Sequence, residues 1–171
     1  ASQEIRKIIE SVPMPADIAD EVRKAYRELS KRTGSGEVLV AVRSSATGED
    51  LPDASFAGQQ DTFLNVKGEE QLVHYVRKCW SSLYTPRAIF YREEKGFPHE
   101  KVLISVGIQK MVEAKCSGVV FTLDPVNGDP SKIVIEATWG LGEALVAGHV
   151  SPDRFIIDKG TLQIIHKEIV P

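Results

Sequence analysis

The spacing of apolar residues changes character near Lys101. Before that point they recur every three or four positions, as on one face of a helix; after it they fall into short runs of strand type. Ile5, Ile8, Ile9 and Val12 share a helical face, and Pro13 and Pro15 end that segment. A second helix is expected from about Ala16 to Lys31, with Ile18, Val22, Tyr26 and Leu29 as its stripe. Asp17, Asp20 and Glu21 suit its positive N-terminal end, and Gly34 and Gly36 break it. A strand follows at Val38–Val42, and a second short one at Thr62–Val66. Glu69 to Leu83 reads as a helix with Leu72, Val73, Val76, Trp80 and Leu83 inward. Pro86 to Lys95 reads as another, since proline suits a first helical turn, and Gly96-Phe97-Pro98 closes it.

Beyond Lys101, strands are expected at Val102–Met111, Gly118–Thr122, Ile133–Ala137, Arg154–Ile157 and Leu162–Ile165. Asp124-Pro125 and Asn127-Gly128-Asp129-Pro130 are turn sequences. Helices in the first half and a mostly antiparallel sheet in the second predict an α+β fold rather than a regularly alternating one. The 171 residues suffice for one domain with a real core, and a single domain over 1–171 is expected.

Composition narrows the function classes. An apolar fraction of 42% and a charged fraction of 26% are those of an ordinary globular protein. The net charge of -3 gives no support for a nucleic-acid or membrane partner, and no apolar run approaches the length of a bilayer span. Cys79 and Cys116 stand far apart without a CxxC, which reads as two reduced thiols in a cytoplasmic protein. The N-terminus is charged and amphipathic, unlike a signal peptide, and Ala1 in place of an initiator methionine reads as processing or excision.

The candidate chemistry begins where the first strand ends. In AVRSSATGEDLPDASFAGQQDTF, Ala41 to Phe63, that strand delivers Arg43 into a run rich in Ser, Thr, Gly, Asp and Gln. Arginine offers a planar fork of donors to phosphate oxygens. Ser44, Ser45 and Thr47 offer hydroxyls, Gly48 and Gly58 allow close backbone approach, and Gln59 and Gln60 offer amides. The same residues also fit a surface arginine paired with Glu49 or Asp50 beside ordinary turns and caps, and both readings stand at this point.

A second candidate is Gln109-Lys110-Met111-Val112, where an apolar strand ends in an amide and a soft apolar pair suited to a flat purine ring. An ordinary strand end explains it equally well. A third is Glu136 to Glu143, a strand carrying a carboxylate toward a glycine-rich turn; it lacks the third glycine and the βαβ setting of a dinucleotide fingerprint. The four histidines, His74, His99, His149 and His166, fit surface or capping roles, none in the kind of turn that presents a phosphoryl carrier. Neither a metal-ligand spacing nor a nucleophile–base pair is visible.

The run AVRSSATGEDLPDASFAGQQDTFLNV is followed in order by KCWSSLYTPRAIFYREEKGF, ISVGIQKMVEAKCSGVVFTLDPVNGD and EATWGLGEALVAGHVSPDRF. Together these resemble the N-terminal nucleotide-binding domain of a family of phosphoenolpyruvate synthases (pyruvate, water dikinases), pyruvate phosphate dikinases and rifampin phosphotransferases. The similarity runs from about Val38 to Lys159.

The resemblance implies an ATP-grasp type fold, with ATP between two α+β subdomains. It implies phosphorylation of a histidine on a separate swivelling domain, and onward transfer to pyruvate in a third. Carried over by residue, Arg43 matches the phosphate-binding arginine and is the expected catalytic residue. Gly58 and Thr62 match ATP-contacting positions, and Gln109 a residue at the adenine edge with Met111 and Val112 beside it. The family's glycine-rich lysine segment is expected upstream of this chain. The acidic residues and glutamine that hold Mg2+ and the triphosphate are expected downstream. The other ATP-grasp subdomain, the phosphohistidine domain and the pyruvate-binding domain are expected as partners outside the chain. The isolated chain is therefore expected to be inactive, with weak ATP affinity. A related phosphotransferase acting on rifampin or a phenol, and a stand-alone non-catalytic ATP-binding module, are the alternatives.

Overall fold

A computed structural model of the chain describes residues 1–34, 36–46, 50–51, 54–55 and 61–170. They form two compact units, Ala1–Met111 and Val112–Pro171.

The first unit opens with helices α1 (Ser2–Ser11) and α2 (Ala16–Arg32). Strand β1 (Val40–Ala46) follows, then the short hairpin β2 (Asp50–Leu51) and β3 (Ala54–Ser55), and β4 (Thr62–Val66). Helices α3 (Glu69–Ser81) and α4 (Pro86–Lys95) are joined by a 3-10 turn at Ser82–Tyr84, and β5 (Ile104–Lys110) completes the unit. The sheet order is β4-β1-β5, all antiparallel.

One face of this sheet is covered. Val40, Val42 and Val66 are buried against Leu72, Val73, Val76 and Cys79 of α3, with Ala19 and Tyr26 of α2 in the same cluster. Tyr26 ties α2 to the sheet, its hydroxyl donating to the Val38 carbonyl (2.7 Å) and accepting from the Gly68 amide (3.0 Å). The Val38 amide donates to the buried Ser30 hydroxyl at 3.3 Å. Both backbone groups of Val38 are thus taken by α2, which explains why the strand begins at Val40 rather than at the expected Val38.

One expected apolar stripe is turned. No residue of α1 is buried, and Ile8 and Val12 are 62% and 55% exposed. The seam of α1 with α3 is partly polar: Arg77 donates to the carbonyls of Glu10 (3.1 Å) and Val12 (2.8 Å), and the Ser81 hydroxyl donates to the Glu10 carboxylate. In α2 the expected stripe holds for Tyr26, buried in the core, and for Val22 and Leu29, packed against it, while Ile18 faces outward. Helix α4 has the expected ends: Thr85 caps the Ala88 amide, and Gly96 takes the left-handed conformation (φ 69°). The amides of Gly96 and Phe97 then return to the carbonyls of Glu93 and Arg92.

The second unit is a four-stranded antiparallel meander, β6 (Cys116–Phe121), β7 (Lys132–Trp139), β8 (Asp153–Asp158) and β9 (Ile164–Glu168). A single short helix, α5 (Glu143–Val146), lies between β7 and β8. Its turns are side-chain locked. Asp124 accepts from the Val126 amide (2.9 Å), Asp129 from the amide and hydroxyl of Ser131 (2.8 and 2.7 Å), and Asp158 from both groups of Thr161 (2.9 Å each). The observed architecture is α+β, as the change of apolar period predicts.

Candidate functional site

The outer face of the first unit's sheet carries the sequence candidates. Strand β1 does not stop at Val42; it runs on through Ala46, so Arg43 is its central residue and not a strand-end group. Side chains alternate between the two faces of a strand. Val40 and Val42 turn to the helices, and Arg43 turns away, exposed. On β5, Val106 and Ile108 pack toward the core while Ser105, Gly107 and Gln109 are exposed.

The register places these groups together. Arg43 is opposite Thr62 on β4 and Gly107 on β5, and Ala41 is opposite Gln109. One Arg43 nitrogen, Nη1, donates to Gln109 Oε1 at 3.3 Å. No carboxylate among the described residues takes the guanidinium, leaving most of its five donors for an incoming anion. The pairings weighed for it, Glu49 and Asp50, concern a residue and a side chain outside what is described.

Not every hydroxyl of the run joins this face. Ser44 points to the covered side and donates to the Asp61 carbonyl at 3.3 Å. Behind the strand, Cys79 is fully buried, and its thiol donates to the carbonyls of Val42 (3.7 Å) and Asp61 (3.8 Å). Burial, with the nearby Asp61 charge second, pushes that thiol up to about 12. It is a packing group under the site and not a nucleophile. Gly58, with Thr47, Gly48, Gln59 and Gln60, lies outside the described residues.

At the end of β5, the Met111 amide donates to the Leu39 carbonyl at 2.8 Å and its side chain is half-buried. Val112 is the first residue of the second unit and is 75% exposed. The third candidate is not built as the sequence suggested. Glu136 sits mid-strand in β7, opposite Val119 and Arg154, because the strand continues to Trp139. Beyond it Gly140 turns with φ 75° and accepts from the Ser117 hydroxyl at 2.7 Å.

His99 stands in a 3-10 turn at His99–Lys101. Its Nδ1 accepts from Arg92 Nε (2.8 Å), so Nε2 carries the proton and donates to Glu93 (2.7 Å). Arg92 itself is 1% exposed with Nη1 and Nη2 unpartnered, and it lies over the Tyr84 ring at 5.5 Å. Sequence reasoning passed over it; the RAIFYR segment gives no sign that this arginine points inward. Among the described residues no three His, Cys, Asp or Glu side chains converge as a metal site. No helix among them is long and apolar enough to cross a membrane.

These features define an α+β domain that presents one arginine, flanked by a threonine and an amide, on the face of a small antiparallel sheet turned away from α2 and α3. The chain belongs to the pyruvate phosphate dikinase, AMP/ATP-binding domain family, whose model matches residues 1–171 and whose fold is of ATP-grasp type. It is 57% identical over 167 residues to the probable phosphoenolpyruvate synthase of Staphylothermus marinus, covering 96% of this chain and 20% of that protein. The probable phosphoenolpyruvate synthase of Methanocaldococcus jannaschii is 56% identical over 169 residues, 99% of this chain and 14% of the relative. The phosphoenolpyruvate synthase of Pyrococcus furiosus is 54% identical over 168 residues, 98% and 21%. The chain thus spans about a fifth or less of the length of these relatives.

Proposed function

We propose that this chain is the ATP-binding part of a phosphoenolpyruvate synthase. Such an enzyme uses ATP to phosphorylate pyruvate through a phosphohistidine, releasing AMP and phosphate. The observation that carries the reading is the meeting of Arg43, Thr62 and Gln109 on one exposed sheet face, from strands far apart in sequence. Arg43 stabilises charge on the transferred phosphates, the catalytic part this chain contributes. Thr62, and Gly58 by its match to the family pattern, shape the phosphate side. Gln109 and Met111 stand toward the adenine, and Val112 joins them on its sequence match alone. Both units belong to one nucleotide-binding domain in this reading, which the family match running through both supports.

Mg2+ is the proposed metal, held by groups outside this chain, and the cytoplasm is the proposed compartment. The phosphohistidine and pyruvate-binding domains, with the other half of the ATP site, belong to the remainder of the enzyme. One arginine cannot neutralise a triphosphate in transfer, so the isolated chain binds ATP weakly and turns nothing over. Amide NMR with ATP and Mg2+ tests the reading. Shifts should map to 41–46, 62–66 and 104–111 and be lost in Arg43→Ala. Shifts that ignore Arg43, or conversion of pyruvate by the isolated chain, would contradict it.

A further inference from the structure

We infer that Gln109 and Gly107 form a seat that positions Arg43, so that Gln109 acts on the phosphates of the nucleotide through the arginine. The inference rests on the ATP reading and deepens it. Arg43 donates to the side-chain oxygen of Gln109, the only acceptor that amide has. An amide whose oxygen is held this way keeps its NH2 end and one lone pair for a ligand, and its first effect is to fix the direction of the guanidinium.

The register explains how the two side chains reach each other. Directly opposite Arg43 stands Gly107, and Gln109 is two residues further along the same face. Such diagonal neighbours are roughly 7–8 Å apart at the backbone, within reach only of long side chains that lean toward each other. A side chain at 107 would stand beside Arg43 at the directly opposed position and obstruct that lean. The glycine leaves the space open. Its own backbone does not require glycine: φ is not in the left-handed region, and an added Cβ would meet only the Arg43 carbonyl, at 3.8 Å. Gly107→Val is therefore compatible with the strand yet removes the seat, which makes it a probe independent of Gln109.

The test separates positioning from base recognition. Binding of ATP and of adenosine to the 171-residue chain is measured by NMR titration for the wild type, Gln109→Leu, Gly107→Val, Arg43→Ala and the two doubles with Arg43→Ala. Loss of a hydrogen bond to an aimed guanidinium should weaken ATP by about three- to tenfold in each of the first two variants. Adenosine, which has no phosphate, should bind Gly107→Val and Arg43→Ala as it binds the wild type, whereas Gln109→Leu also loses the NH2 end that faces the adenine. In the Arg43→Ala background Gly107→Val should not weaken ATP further. Gln109→Glu should weaken ATP more than Gln109→Leu, because a carboxylate on the guanidinium also repels phosphate. For Gly107→Val, equal losses for ATP and adenosine, or a loss that adds to that of Arg43→Ala, would overturn the seat while leaving the ATP reading intact. A wild-type chain that binds neither ligand overturns the reading and the seat with it.

Discussion

The two units solve the same problem, a sheet with two faces, in different ways. In the first, three strands bury one face against α3 and α2 so completely that Val40, Val42, Leu72 and Cys79 have no exposure. The other face is then free to carry Arg43, Thr62 and Gln109. In the second, four strands are served by one short helix, and Val134 and Leu145 are its buried apolar residues. What holds the meander is its ladder and its turns, with Asp124, Asp129 and Asp158 bonding the chain back on itself. A binding group needs a stiff base, and a well-packed layer supplies it. The candidate arginine sits on such a base, its strand backed by Leu72, Val73, Val76 and Cys79 of α3.

The largest contrast is in thiol reactivity. Cys116 lies exposed on the first strand of the meander, whereas Cys79 is sealed under β1 with its ionisation pushed up to about 12. At pH 8 almost none of the Cys79 thiol is ionised, and the thiolate is the reactive form. A disulfide reagent should therefore modify one thiol at once and the other only as the first unit opens. Two thiols reacting together would deny the sealed core. Next comes core truncation. Leu72→Ala should cost about 2–5 kcal/mol, because it opens a cavity against both sheet and helix. The half-buried Trp80 of α3 reports that unit, and Trp139, 75% exposed, reports the other. Chemical denaturation followed in Trp80→Phe and Trp139→Phe backgrounds should place the loss in the first unit.

The meander has its own sensitive point, and it is backbone rather than core. Gly118 on β6 faces β7 so closely that an added Cβ would stand 2.7 Å from the Glu136 carbonyl and 3.4 Å from Ala137. Neither neighbour is a flexible side-chain end. Gly118→Ala should force β6 and β7 apart and cost about 1–3 kcal/mol, read from Trp139 and not from Trp80. An unchanged midpoint would show that the meander yields where the layered unit does not.

Much of this was legible in the sequence. The helix Pro86–Lys95 and the strand Thr62–Val66 have the expected bounds, because proline, a glycine cap and clean alternation mark them. The candidate face was legible as chemistry but not as structure. Ser44 and Ser45 look like loop, yet β1 runs through both, since Ser44 finds the Asp61 carbonyl and Ser45 pairs with Ser105 across the ladder. A strand whose polar residues are satisfied laterally looks like a turn in one dimension. The Arg43–Gln109 bond spans 66 positions and depends on register, which no local pattern records. Ile8 and Ile18 mislead for another reason: apolar spacing gives the period of a helix face, while what covers the face is set by neighbours.

The smallest expected effect probes the turns. Asp129 is held below the usual carboxylate range first by the Ser131 hydroxyl and then by the Ser131 amide, and Asp158 by the amide and hydroxyl of Thr161. Both are depressed in the folded chain, so the stability they add is fully present above the unfolded value of about 4. It is lost as pH falls through the lower folded values. Asp129→Asn keeps an acceptor oxygen while removing the charge. It should lower the Trp139-reported midpoint slightly at pH 7, and the deficit should shrink as the medium is taken below pH 4 and the wild-type carboxyl gains its proton. Because the group is solvent-exposed, the shift should be small and weaker in high salt. The Trp80-reported midpoint should show no deficit for this variant at any pH. A deficit that persists undiminished in acid would mean that shape and not charge holds the turn, and the meander would then rest on its ladder alone.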